Sequence, residues 1–191
     1  MRVVGGALRG RRLAAPGAAG GGAAHLRPTA DRVREALFNI LAHGVPDQPP
    51  PPQGRRVLDL FAGTGALGVE ALSRGAERAT FVDDLPAARA LIRENVENLG
   101  LIGRARILRR DATRLGPCRE RPYDLVFLDP PYAQGLGERA LGSAQEGGWL
   151  APGALIVWEE AAEVEPALPA WAELVDARRM GPASLRILRA R

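Results

Sequence analysis

The strongest constraint on this chain is a short apolar run that ends in a glycine turn. Val57–Phe61 is apolar except for Asp59, as expected for a strand buried on both faces. It leads into Ala62-Gly63-Thr64-Gly65-Ala66-Leu67-Gly68, which places a G-x-G-x-x-G at positions 63, 65 and 68. Alone, that spacing is a weak signal. Here it leaves a predicted strand and opens a predicted helix over Gly65–Arg74, the context a nucleoside-binding βα unit requires. Glycines there let a ligand approach the backbone closely.

The alternation continues downstream. Ala79–Val82, Ala105–Leu108, Tyr123–Asp129 and Ala154–Trp158 read as strands, and Pro86–Leu99 and 136–147 as helices. Asp84 is a plausible cap for the second of the three helices, with Pro86 in its first turn. Leu174–Arg178 and Ser184–Leu188 flank Met180-Gly181-Pro182-Ala183 and read as a closing antiparallel pair. Repeated strand–helix alternation predicts a parallel sheet with right-handed crossovers, an α/β Rossmann-like fold. Residues 55–191 are expected to form its main unit.

Residues 1–54 read differently. Residues 2–13 suggest two short strands around a Gly-rich turn, and 14–24 are low in complexity and suggest a mobile loop. Thr29 is a candidate N-cap for a helix with apolar positions Val33, Ala36, Leu37, Ile40 and Leu41. Residues 44–54 hold five prolines and suggest an extended linker. The chain contains 26 basic residues, all arginine. Residues 1–56 hold nine of them against Asp31, Glu35 and Asp47, a net of +6; residues 57–191 hold 17 against 19 acids, a net of −2. A basic segment in front of a near-neutral body suits a polyanionic partner.

Composition narrows the chemistry. With 191 residues, 46% hydrophobic and 25% charged, the chain can bury a real core and reads as one globular unit. No stretch approaches the roughly 18 uncharged apolar residues of a membrane span, and no secretory leader is legible. The single cysteine, Cys118, excludes an internal disulfide, and two histidines leave little for a metal site. A reduced, cytoplasmic setting is expected, without metal. The absence of lysine excludes a Walker-type phosphate lysine and a Schiff base.

Three carboxylates frame a cofactor site. Asp83 ends the second strand of the main unit, 20 residues after Gly63, where a carboxylate can accept from both ribose hydroxyls. Asp111-Ala112 end the next strand, where an adenine amine could be held. Nicotinamide dinucleotides and S-adenosylmethionine share this geometry. Asp59 favours the second, because a carboxylate below the glycine turn suits an ammonium and repels a pyrophosphate. Plain capping is the simpler role for Asp59 and Asp83.

The fourth strand ends in Asp129-Pro130-Pro131-Tyr132. Two prolines stop the hydrogen-bond ladder. The Asp129 carboxylate and Pro130 carbonyl then offer two convergent acceptors, and Tyr132 an aromatic plate. Those parts suit a planar amine with two hydrogens. Acceptors on both hydrogens bias the nitrogen toward sp3 and stabilise positive charge as it attacks a methyl sulfonium. The ring can stack on a base that has left its helix. The simpler role is a Pro-rich turn with a packed tyrosine.

Asp59-Leu60-Phe61-Ala62-Gly63-Thr64-Gly65 together with Asp129-Pro130-Pro131-Tyr132 resembles the S-adenosylmethionine-dependent amino-methyltransferases. Val3-Val4-Gly5-Gly6, Arg9-Gly10-Arg11-Arg12-Leu13, Leu26 to Asn39 and Gly65 to Arg74 resemble, more narrowly, the bacterial 16S ribosomal RNA (guanine-N2)-methyltransferases. The resemblance spans essentially the whole chain. It implies a seven-stranded sheet whose last strand is antiparallel, beside an N-terminal hairpin and helix. It implies S-adenosyl-L-methionine as cofactor and one methyl transferred to the exocyclic amine of a guanine in an assembled or partly assembled small subunit, by a monomer. The expected cofactor residues are Asp59, Phe61, Ala62, Gly63, Thr64, Gly65, Asp83, Asp84, Asp111 and Ala112, and the catalytic ones Asp129, Pro130, Pro131 and Tyr132. Arg9, Arg11, Arg12, Arg27, Arg32 and Arg34 are expected to meet RNA. The family usually carries Glu where this chain has Asp83, followed here by Asp84, so either carboxylate could hold the ribose. The rivals are a DNA adenine or cytosine amino-methyltransferase, a non-catalytic RNA-binding assembly factor, and a nucleotide-dependent oxidoreductase. The chain has no spare length for a DNA target-recognition region. The intact Asp129–Tyr132 run opposes the second, and Asp59 opposes the third.

Overall fold

In the computed structural model the described residues are 1–16 and 30–191. After α1 (Asp31–Gly44), the chain alternates β1 (Arg56–Leu60), α2 (Ala66–Ser73), β2 (Arg78–Val82), α3 (Pro86–Asn98), β3 (Ala105–Leu108), β4 (Tyr123–Leu128), α4 (Leu136–Glu146) and β5 (Leu150–Ala161). It closes with β6 (Ala172–Met180) and β7 (Ala183–Ala190). The seven strands form one sheet in the order β3-β2-β1-β4-β5-β7-β6. Strands β1 to β5 run parallel, and β7 lies antiparallel to both β5 and β6. The α/β Rossmann-like expectation holds.

Register decides where the site lies. Leu108, Val82, Leu60, Leu128 and Trp158 pair in one line across the carboxyl edge. The strand order reverses between β1 and β4, and at such a switch point open α/β sheets bind ligands. All five residues of β1 are buried. Its alternating side chains feed two cores, Val57 with Phe38, Phe81 and Phe127 on one face, and Leu58 and Leu60 with Val126, Ile156 and Trp158 on the other. Helix α1 covers the first face, with the Phe38 ring 5.6 Å from that of Phe127. Burying a side chain of this size contributes about 1.5–3 kcal/mol. Val3 and Leu13 join the same core.

The N-terminal segment departs from two regular strands. It forms a single bridge, Arg2 to Arg12, around a 3-10 turn at Gly6–Leu8. Val3 N donates to Arg11 O at 2.9 Å and Gly10 N to Val3 O at 2.8 Å. A longer ladder is prevented by α2. Val4 N donates to Glu70 Oε2 at 2.8 Å, Leu8 N to Ser73 Oγ at 2.9 Å, and Ser73 Oγ to Gly5 O at 2.6 Å. The backbone groups that would extend a hairpin are used on side chains of the first crossover helix.

The proline-rich segment also differs from an extended linker. Val45, Pro51 and Pro52 are buried. Gly54 N donates to Gly75 O, and the Asp47 carboxylate pairs with Arg55 at 2.8 Å and Arg189 at 2.6 Å. A run of prolines offers apolar rings with few N–H donors to satisfy, so it packs once one carboxylate pins it. Thr29 lies outside the described residues. Ala30 occupies the cap position of α1 and supplies no side-chain bond.

Candidate active site

The glycine turn is held from three directions. Phe61, Gly63 and Gly65 take the left-handed conformation, with φ of 57°, 56° and 75°. For Phe61 that geometry costs on the order of 1–3 kcal/mol and survives only where its surroundings impose it. Ala62 N donates to Val82 O and Gly65 N to Ala62 O. Asp83 Oδ2 accepts from Gly63 N at 2.9 Å, and Asn95 Nδ2 donates to Thr64 O at 2.9 Å. At Gly68 a Cβ would lie 2.3 Å from Phe81 and 3.1 Å from Asp59 Oδ2. The third glycine of the motif therefore lets α2 lie directly on β2.

Asp59 is 2% exposed and accepts from Gly68 N at 2.9 Å. Burial, with Asp83 adding a like charge, pushes its pKa up to about 8. It thus caps the first turn of α2, the simpler of its two expected roles. Asp83 is 8% exposed, and its Oδ1 accepts from Leu85 N at 2.9 Å. Burial raises its pKa too, against two backbone hydrogen bonds that favour the charge. Asp83, not Asp84, ties down the start of α3, where Leu85 holds the cap position. Asp84 is exposed. The expected cap at Asp84 is displaced by one residue, because Asp83 alone can reach both Gly63 and Leu85.

Phe61, Val82, Asp83, Asp84, Arg110, Asp111 and Ala112 line one cavity of about 30 Å³. Five of the predicted cofactor residues therefore meet in one place, joined by Arg110, which sequence reasoning missed. Burial works against ionisation of Asp111, but hydrogen bonds from the Thr113 hydroxyl and amide outweigh it and hold its pKa below the usual range. Its Oδ1 accepts both at 2.8 Å.

Pairing of Leu60 with Leu128 sets the turn after β4 beside the turn after β1. Asp129 is half-buried, Pro130 buried, Pro131 exposed and Tyr132 half-buried. The Tyr132 hydroxyl donates to Glu159 Oε1 at 2.5 Å, and Ala133 N to Glu160 Oε1 at 3.1 Å. Neither glutamate was foreseen, nor was Asn95, whose Oδ1 accepts from Ala14 N at 2.7 Å and so ties the N-terminal segment to the glycine turn. Among the described residues no group of His, Cys, Asp and Glu could hold a metal ion, and no helix is long and apolar enough to cross a membrane.

The predicted RNA-facing arginines divide. Arg9, Arg11, Arg12 and Arg32 are exposed, and Arg11 Nη2 donates to Asn98 O at 3.1 Å. Arg34 does not belong with them. It is fully buried, and its guanidinium pairs with Asp31 at 2.9 Å and bonds Arg2 O. Arg34 shares the core face of α1 with Leu37, Phe38 and Leu41. It braces the N-terminal segment against α1 and cannot reach a phosphate. Arg27 lies outside the described residues.

This sheet, with its glycine turn and the neighbouring Asp-Pro-Pro-Tyr turn, is that of a Rossmann-like α/β methyltransferase. Comparisons with known proteins agree. The family model described as Conserved hypothetical protein 95 matches residues 1–189. Ribosomal RNA small subunit methyltransferase D of Escherichia coli is 42% identical over 171 residues, covering 88% of this chain and 78% of that protein. The protein of the same name from Haemophilus influenzae is 35% identical over 162 residues, covering 83% and 78%. The solved structure of Escherichia coli yhhF, described as a candidate methyltransferase, superposes with a TM-score of 0.80 at 38% identity, covering 100% of this chain and 97% of that one. The chain belongs to this methyltransferase family, that of ribosomal RNA small subunit methyltransferase D.

Proposed function

We propose that this chain transfers a methyl group from S-adenosylmethionine to the exocyclic N2 amine of a guanine in 16S ribosomal RNA of the small ribosomal subunit. The observation that carries this reading is the juxtaposition at the carboxyl edge. Leu60 and Leu128 are paired neighbours, so the glycine turn and the Asp129–Tyr132 turn begin side by side. The relatives' names supply ribosomal RNA as the substrate class.

The residues present fit the cofactor. Half-buried Gly63 leaves backbone open to close approach, buried Gly65 lets the turn pack against Phe81 and Ile92, and the cavity beside Asp83 carries carboxylates for hydroxyl and amine donors. That enclosed space of about 30 Å³ is far smaller than an adenosine, so it would take only part of the nucleoside. When bound, S-adenosylmethionine supplies an electrophilic methyl on sulfur. Phe61, Ala62, Gly63, Thr64 and Gly65 would shape its cradle, Asp83 rather than the exposed Asp84 would serve the ribose side, and Asp111 with Ala112 the adenine side. Asp59 stands below the turn, where a cationic ammonium would favour its charged form.

Asp129 and the Pro130 carbonyl accept the two hydrogens of the target amine. As the nitrogen attacks and the methyl–sulfur bond breaks with its electron pair going to sulfur, positive charge grows on the nitrogen; these preorganised acceptors stabilise that charge, and one of the two amine protons then leaves to solvent. Pro131 fixes the backbone between acceptors and ring, and Tyr132 stacks on the base. Exposed Arg9, Arg11, Arg12 and Arg32 provide cations for backbone phosphates; the described 1–54 segment acts as the RNA-facing part of one unit with 55–191.

The test is transfer of labelled methyl to small subunits, naked ribosomal RNA and DNA in parallel, with the modified nucleoside identified by mass spectrometry. N2-methylguanosine formed on small subunits or ribosomal RNA is expected. Label on DNA alone, or on a base other than guanine, would overturn the reading.

A further inference from the structure

Strand β5 is longer than the site needs. Its parallel partner β4 stops at Leu128, opposite Trp158, yet β5 continues through Glu159, Glu160 and Ala161. These three residues stay paired to β7, opposite Leu185, Ser184 and Ala183. They therefore stand as a rigid stub beside the Asp129–Ala133 turn, held by the sheet on one side only.

Both acidic side chains of the stub reach that turn. Glu160 is 2% exposed. Its Oε1 accepts from Ala133 N at 3.1 Å and from Ala161 N at 2.9 Å. Among the described residues no arginine forms an ion pair with it. A buried carboxylate kept without a cation is a costly group unless backbone donors satisfy it. The donor it satisfies on the turn belongs to Ala133, a non-glycine residue at φ 58°. That conformation is strained and persists only where the surroundings impose it. On the neighbouring position, Glu159 Oε1 accepts the Tyr132 hydroxyl at 2.5 Å.

We infer that Glu159 and Glu160 are positioning residues of this enzyme. Glu160 fixes the backbone at the end of the Asp129-Pro130-Pro131-Tyr132 turn, and Glu159 sets the orientation of the Tyr132 ring. Two prolines deprive the turn of internal N–H donors, so it cannot hold its own shape by a ladder. The stub of β5 instead supplies acceptors for the donors that remain, Ala133 N and the Tyr132 hydroxyl. The acceptors on Asp129 and Pro130 must meet an amine to within a fraction of an ångström, and small misplacement of reacting groups costs about 100-fold in rate. The inference rests on the proposed role of this turn in methyl transfer.

The experiment uses the full chain and the variants Glu160→Ala, Glu160→Gln, Glu159→Ala and Tyr132→Phe. Amide hydrogen exchange at Ala133 is read first, because it needs no turnover. Glu160→Ala should lose protection there at least tenfold, on the order of one lost hydrogen bond, while Glu160→Gln retains an acceptor and most of the protection. In methyl transfer to small subunits, Glu160→Ala should lower kcat by about 10- to 100-fold. Its KM for RNA and its affinity for S-adenosylmethionine should stay within about twofold, and Glu160→Gln should recover most of the rate. Glu159→Ala and Tyr132→Phe should show similar defects that do not add in the double variant. Unchanged Ala133 exchange in Glu160→Ala, or equal failure of the alanine and glutamine variants, would overturn the clamp. A parent chain that methylates no RNA would overturn the proposed reaction, and the catalytic role of the clamp with it. The exchange result would tell the two failures apart.

Discussion

Replacing Asp59 with asparagine should stabilise the cofactor-free chain at neutral pH. The carboxyl is 2% exposed and pushed up to about 8, against about 3.9 in an unfolded chain. The folded state therefore binds its proton more tightly than the unfolded state does. Stability from this group is fully present below about pH 4, declines as pH rises, and is gone above about pH 8, from those two values. Four pH units at about 1.4 kcal/mol each give a penalty on the order of 5 kcal/mol. Asparagine cannot ionise, and its Oδ1 still accepts from Gly68 N, so the cap on α2 survives. The stability difference between variant and parent should rise by about 1.4 kcal/mol per pH unit between pH 5 and 8 and then level off. Other acids with lowered pKa values, such as Asp31 and Asp111, weaken the fold only in acid and cancel between the two proteins. Urea unfolding followed by tryptophan fluorescence from pH 5 to 9 measures the difference. A constant difference across that range would refute a buried, raised Asp59. Calorimetry of cofactor binding at pH 7 in buffers of different ionisation heat adds a second check. An ammonium beside Asp59 should drive a proton off the parent chain and none off the variant.

Asp83→Ala should weaken S-adenosylmethionine binding about tenfold or more through one or two lost charge-assisted hydrogen bonds, and should lower the melting temperature, because Gly63 N and Leu85 N lose their acceptor. Asp84→Ala should do neither; calorimetry that ranks Asp84 above Asp83 would move the ribose to the exposed carboxylate. Asp129→Ala should reduce turnover by about 10²- to 10³-fold with cofactor affinity little changed, and Asp129→Asn should fall less; equal losses of binding and turnover would remove Asp129 from the reacting centre. Replacing Arg9, Arg11 and Arg12 together with alanine should flatten the log–log salt dependence of RNA binding by roughly 2–3, at about 0.7–0.9 per phosphate contact. An unchanged slope would place the RNA elsewhere.

What was legible in the chain was local. Apolar runs located the buried central strands, since a strand buried on both faces is largely apolar, whereas the partly exposed β3 and β6 were legible from strand–helix alternation and the Met180–Ala183 turn. The spacing 63, 65, 68 also located the turn at the switch point. Helix α1 shows how far such reading reaches. The apolar stripe Val33, Ala36, Leu37, Ile40 and Leu41 found the helix but set its face slightly off. The buried positions are Arg34, Leu37, Phe38, Ile40 and Leu41. Arg34 stands at i−3 and i−4 from Leu37 and Phe38, so spacing alone could have taken it out of the basic surface, whereas its charge argued the other way. Charge counts net cations; it does not say which of them faces the core. The contacts that shape the site are of a different kind. Val4 meets Glu70, Ala14 meets Asn95, and Tyr132 meets Glu159 across 66, 81 and 27 residues. Each joins a backbone or hydroxyl donor to one polar side chain, with no periodicity to announce it. The same holds for the raised pKa of Asp59, which comes from the burial that α2 and β2 impose once Gly68 lets them meet. Residue types and spacing therefore name the chemistry of this site, and the side chains that hold it in shape become visible only when the sheet has brought its loops together.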